Sequence, residues 1–217
     1  MASRKNVLVI GLGRFGSSLA CALVDSGHDV LGVDSDPAVV QKFSTQLTHV
    51  IVLDATNEEA LSSLGINNFD ATVVASGGNF ESSILITLLL KRLGARMVVA
   101  KAVTAQQAEV LHKLNVDRVV QPEHDAGLRL ARQLIAPDIL DFITLEPGLS
   151  IVEVLAPDFT VNKTLAELDL RNRYKIAILV IKGGNRVIIS PDSSDRIRAE
   201  DMLVVIGRDE DIARMQK

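Results

Sequence analysis

The chain has 217 residues, 47% hydrophobic and 23% charged, enough apolar material for one large domain or two small ones. A net charge of -4 with no basic face standing out argues against a nucleic-acid binder, which needs a cationic face to neutralise phosphates. The single cysteine, Cys21, rules out a disulfide framework and suits a reducing compartment.

The basic N-terminus meets only four apolar residues, Val7 to Ile10, too few for a signal-peptide core, and the longest apolar run, Ile84 to Leu90, is too short to cross a membrane. A soluble, cytoplasmic protein is expected. Val7–Ile10, Val30–Val33, Val50–Leu53, Thr72–Ala75, Val98–Ala100 and Arg118–Val120 read as strands, with helices of about ten to fourteen residues between them. This alternation predicts an α/β fold, a Rossmann-like doubly wound parallel sheet with helices on both faces. Asp36 before Pro37, and Asn57 before Glu58 and Glu59, mark helix starts, while Gly65 and Gly94 mark helix ends.

Past Val120 the pattern changes. A helical period runs from Asp125 to about Leu134, meets Pro137 and resumes as a second short helix, with a boundary near residues 144–148. Ile151–Leu155, Ala177–Ile181, Val187–Ile189 and Leu203–Ile206 then read as strands, Lys163–Leu170 as one short helix, Asp209–Met215 as a terminal helix, and Lys182–Asn185 as a hairpin turn. The expected organisation is a nucleotide-binding lobe over residues 1–122, crossover helices and linker over 123–146, and a small α+β dimerisation lobe over 147–217.

Gly11, Gly13 and Gly16 form G-x-G-x-x-G directly after the first strand and before a helix. The first glycine permits the turn, the second lets backbone approach phosphate, and the third packs helix on strand. Asp34 ends the second strand about twenty residues on, where a ribose-hydroxyl ligand belongs. Asp54–Thr56, Ser76–Asn79, Lys101 and the segment beginning at Gln121 follow later strands at the same sheet edge, where open α/β folds bind ligands. Arg14 inside the glycine turn points toward terminal phosphates and favours ATP or ADP over a dinucleotide, since a cation at a helix N-terminus opposes the dipole unless an anion is present. The histidines, His28, His49, His112 and His124, are scattered, and no nucleophile–base grouping, metal-spaced set or carboxylate pair emerges. The site is built to bind, and no enzymatic activity is expected. Asp34 also suits NAD(H), which leaves a redox sensor or small oxidoreductase as the other reading.

The segments "VIGLGRFGSSLA", "VDSDP", "DATNEEALSSLGI", "VAKA", "KLNVDRVVQPEHDAG", "NKTLAELDLRNRY" and "RAEDMLVVIG" together resemble the RCK-domain regulatory subunits of bacterial Ktr/Trk potassium uptake systems, over nearly the whole chain. The resemblance implies dimers assembled into a ring, an octamer, on the cytoplasmic face of a potassium-translocating membrane subunit of the KtrB/TrkH kind, with ATP and ADP holding different ring shapes. It implies that Arg14 touches phosphates, Asp34 the ribose, and Asp54 and Ala55 the base region. Phe15, Ser35, Asp36, Thr56, Ser76, Gly77, Gly78, Lys101, Ala102, Val103 and Gln107 complete the implied site, with Gln107 where some relatives have histidine. Glu123 would hold Mg²⁺ beside the γ-phosphate at the dimer interface; its plainer role is an acid in the first turn of a helix. Arg171 matches an arginine of relatives that bind cyclic di-AMP, but Ala177 replaces their asparagine, which speaks against that ligand.

Overall fold

The computed structural model describes residues 3–76, 78–135 and 139–216. The chain divides into two compact units, the first closing at Asp125 and the second opening at Ala126. In the first, β1 (Asn6–Ile10), β2 (Asp29–Asp34), β3 (His49–Val52), β4 (Ala71–Val74), β5 (Val98–Lys101) and β6 (Arg118–Val120) form one parallel sheet in the order β3-β2-β1-β4-β5-β6. The helices α1 (Arg14–Asp25), α2 (Pro37–Phe43), α3 (Glu58–Ser62), α4 (Phe80–Arg92) and α5 (Ala105–Lys113) connect them. Strand order reverses between β1 and β4, which opens a crevice at their C-terminal ends.

The alternation of side chains along β1 shows why both faces are covered. Leu8 and Ile10 join Leu61, Ile86, Leu90 and Leu111 in one core, and Val7 and Val9 join Leu12, Ala20 and Phe43 in the other. Each fully buried aliphatic side chain contributes about 1.5–3 kcal/mol. The helix starts follow the capping residues: Asp36 accepts the Ala38 N–H at 2.8 Å and Asn57 the Ala60 N–H at 3.0 Å. Gly65 and Gly94 adopt φ +66° and +78° just past α3 and α4.

The helix α6 (Pro122–Ile135) starts three residues earlier than its sequence period suggests. Pro137 lies outside the described residues. Residues 139–146, expected as a second short helix, form β7 (Ile139–Glu146) instead. It pairs antiparallel with β8 (Leu149–Leu155) across a tight turn at Gly148, φ +79°. With β9 (Ala177–Gly183), β10 (Arg186–Ile189) and β11 (Met202–Arg208), these build a second sheet, β10-β9-β11-β8-β7, which is antiparallel throughout. The hairpin expected at Lys182–Asn185 joins β9 to β10. The expected helix at Lys163–Leu170 is two short ones, α7 (Leu165–Leu168) and α8 (Leu170–Tyr174), hinged at Asp169 with φ +45°. The terminal helix α9 (Asp209–Met215) closes the core through Ile212 and Met215. Among the described residues no helix is long and apolar enough to cross a membrane.

Candidate functional site

The glycine loop is held by contacts that leave no room for a side chain at Gly11 or Gly16. Gly11, φ +90°, donates its N–H to the Val33 carbonyl at 2.8 Å, and a β-carbon there would meet the Ser76 nitrogen at 2.8 Å. A β-carbon on Gly13 would meet nothing within 4 Å. The turn is therefore closed behind Gly11 and Gly16 and open in front of Gly13, as close approach of a ligand to the backbone requires. Gly13 is also the N-cap of α1 and has no side chain to accept its free N–H groups, whereas Asp36, Asn57, Asn79 and Thr104 cap α2 to α5. No acid stands in the first turn of α1, so its positive end is available to an anion.

Around this turn lies a cavity of about 450 Å³ at the β1/β4 crevice. Of the residues singled out from sequence, Gly11, Gly13, Asp34, Ser35, Asp54, Ala55, Thr56, Ser76, Gly78 and Asn79 line it. Asp34 fastens two loops: one carboxylate oxygen accepts the Leu12 N–H at 2.7 Å and the other the Asp36 N–H at 3.0 Å. Lone pairs remain for a ligand hydroxyl. The Thr56 hydroxyl and N–H donate to Asp54 at 2.6 and 2.9 Å and hold its carboxyl below the usual carboxylate range. The Ser76 hydroxyl is buried without a hydrogen-bond partner, a polar atom that a ligand in this cavity can satisfy. The open cradle at Gly13 and this orphaned hydroxyl fit a nucleotide. Gly77 lies outside the described residues.

A second cluster gathers elsewhere at the same sheet edge. Lys101, at the end of β5, has its side chain only 11% exposed; its Nζ stands 5.9 Å from the Phe15 ring centroid and donates to Glu123 Oε1 at 2.6 Å. The Lys101 hydrogen bond, with a smaller share from the charge of Arg14, holds the Glu123 carboxyl below its usual range. Arg14 itself is exposed at the first position of α1. Ala102 is fully buried in the core, and Val103 donates its N–H to the Gln107 side chain at 2.8 Å, a local clamp on the start of α5. Asp36 serves as the α2 cap and does not line the cavity. Ser82, in the first turn of α4, lines the cavity but was not singled out from sequence; its place behind the Asn79 cap was the available signal. Among the described residues no group of three or more His, Cys, Asp or Glu side chains is placed to hold a metal.

A separate cavity of about 420 Å³ in the second unit is lined in part by Asp169, Arg171, Ile178 and Asp192.

Residues 7–122 match the TrkA-N domain and residues 149–217 the TrkA-C domain. The chain is 40% identical over 99% of its length to Ktr system potassium uptake protein C of Bacillus subtilis (strain 168), covering 97% of it. It is 34% identical over 98% of its length to Ktr system potassium uptake protein A of Vibrio alginolyticus, again covering 97%. Among solved structures, the GsuK channel bound to NAD aligns with a TM-score of 0.66 at 17% identity, over 99% of this chain and 39% of that one. The TrkA-N domain of the inner membrane protein ybaL from Escherichia coli aligns with a TM-score of 0.53 at 17% identity, over 65% of this chain and 100% of that one. These two likenesses concern the fold.

Proposed function

The chain belongs to the KtrA-type RCK family, a TrkA-N domain joined to a TrkA-C domain, and from that premise we propose that it is a nucleotide-sensing regulatory subunit of a potassium uptake system. It assembles as dimers into a ring, an octamer, on the cytoplasmic face of a KtrB/TrkH-like potassium-translocating membrane protein, and ATP with Mg²⁺ or ADP sets whether that pore conducts. It performs no catalysis.

The observation that carries this reading is the cavity at the β1/β4 crevice, open at Gly13 and walled by Asp34, Asp54 and Ser76. In it the α1 N-terminus receives phosphates, Asp34 the ribose hydroxyls, and Asp54 with Ala55 the base region. Arg14 reaches the terminal phosphates. Glu123 contributes one carboxylate to Mg²⁺, whose other ligands are phosphate oxygens, water and groups from a second copy. ATP can shift the ring only by the difference between its affinities for the two shapes, and Arg14 and Glu123 are the residues that sense the extra phosphate. The expected lobes are the nucleotide-binding residues 1–122, the connector 123–146 and the dimerisation lobe 147–217.

Calorimetric titration with ATP, ADP, NAD⁺ and NADH, with and without Mg²⁺, tests the reading. Preference for adenine mononucleotides, with ATP set apart by Mg²⁺, supports it. A preference for NAD⁺ or NADH supports the alternative of a redox sensor or small NAD-dependent oxidoreductase, which Asp34 at the end of β2 favours.

A further inference from the structure

The Lys101–Glu123 pair joins two groups of unequal freedom. The Lys101 side chain is 11% exposed and packed by Phe15, whereas the Glu123 side chain is 62% exposed in the first turn of α6, the helix that carries the chain out of the first unit. A cation so enclosed keeps little water and needs an anionic partner. The partner it has, at 2.6 Å, is supplied by the protein itself.

We propose that Glu123 is an internal substitute for a ligand phosphate: its carboxylate holds the Lys101 ammonium until the terminal phosphate of a nucleotide bound at the glycine loop takes that place and frees the first turn of α6. This rests on the nucleotide reading above and deepens it to the regulation of that site. Phe15, against Lys101, directly follows Arg14 in the first turn of α1, so a phosphate chain that continues past Arg14 runs toward the ammonium, which stands outside the residues that line the cavity. A phosphate has more charge and more acceptor oxygens than a carboxylate, and it repels Glu123 as it arrives. The exposed partner, in the first turn of a helix, moves; the enclosed one stays. The displaced carboxylate is then available to a divalent cation, and without that cation it only competes with the ligand.

The competition has a signature that a purely favourable Glu123 contact lacks. Full-length wild type, Glu123→Gln, Glu123→Ala, Lys101→Met and the Lys101→Met/Glu123→Gln double variant are titrated with ATP and with inorganic triphosphate in EDTA at fixed pH. Glu123→Gln and Glu123→Ala bind about fivefold tighter than wild type, as loss of one competing ion pair predicts. Lys101→Met binds about tenfold weaker, and the double variant no tighter than Lys101→Met alone. Amide exchange in the first turn of α6 rises on adding ATP to wild type and is already raised in Glu123→Gln. Equal or weaker binding by both Glu123 variants overturns the proposal, as does a gain that persists without Lys101. Binding by wild type with no gain in the variants defeats the latch and leaves the nucleotide reading standing; no binding by any of the proteins defeats both.

Discussion

A β-carbon placed on Gly16 would lie 1.9 Å from the carbonyl oxygen of Gly11, so the first turn of α1 and the turn leaving β1 are in contact through a position only glycine can fill. Gly13, between them, has open space in the direction a β-carbon would take. Two alanine substitutions in one motif therefore have opposite signatures. Gly16→Ala pushes helix from strand and costs about 1–3 kcal/mol or more, seen as a lowered urea midpoint. Gly13→Ala, at a φ of -63° that any residue adopts, changes stability by about 1 kcal/mol or less, through the N-cap preference, yet weakens nucleotide binding at least tenfold by filling the phosphate cradle. If Gly13→Ala binds ADP as wild type does, phosphate does not sit against that turn.

How much of this was legible in sequence depends on the distance between the interacting residues. The β-α order, the glycine turn and the caps at Asp36 and Asn57 are local patterns, and each appears where its residues predict. The strand β7 is not local. "ILDFITLE" is short, follows a proline and fits either state, and its pairing with β8 decides the matter. The Lys101–Glu123 pair joins residues 22 apart, and what makes them neighbours is sheet order: β5 and β6 run parallel with Lys101 opposite Val120, so the helix after β6 begins beside the end of β5. The hinge at Asp169 was hidden for another reason: an αL aspartate leaves the apolar period of Lys163–Leu170 intact.

In the second unit Gly183 and Asp201 form a comparable close approach. A β-carbon on Gly183 would fall 1.8 Å from Asp201 Oδ1. The Asp201 side chain is 3% exposed, and its other oxygen accepts the Arg198 N–H at 2.7 Å and an Arg186 guanidinium N–H at 2.5 Å. Gly183→Ala displaces a buried carboxylate from its partners and should destabilise this unit by about 3 kcal/mol or more, as breaking a buried ion pair does. Thermal unfolding of the variant beside Asp201→Asn tests it. A melt unchanged in Gly183→Ala would show that the β9–β10 hairpin yields without disturbing Asp201.

The Lys91–Asp117 pair predicts an acid dependence. Lys91 Nζ donates to Asp117 at 2.7 Å and the Val98 N–H donates at 2.7 Å, and together, the lysine first, they hold the Asp117 carboxyl below its usual range. A depressed folded-state value means that the unfolded chain takes up the proton more readily. The stabilisation is therefore fully present above the ordinary aspartate value of about 3.9 and is lost as pH falls from there through the lower folded-state value. Urea midpoints at pH 7 and pH 3 should differ more in wild type than in Asp117→Asn. Equal acid losses in the two proteins would show that the pair contributes nothing to the dependence.

The role proposed for Arg14 at the terminal phosphates has its own test. Arg14 lies exposed at the first position of α1, where the positive end of the helix opposes it, and its charge helps keep Glu123 ionised. A cation kept in an unfavourable field has its use when an anion arrives, and its guanidinium offers paired donors to phosphate oxygens. If Arg14 senses the γ-phosphate, Arg14→Ala weakens ATP about tenfold or more while ADP loses less, because a charge-assisted hydrogen bond contributes about 1.5–3 kcal/mol. The ATP/ADP affinity ratio, measured with Mg²⁺ present, then moves toward one. If instead both nucleotides weaken equally, Arg14 holds a phosphate they share, and discrimination passes to Glu123 and its cation; in that case Glu123→Gln, not Arg14→Ala, narrows the ratio.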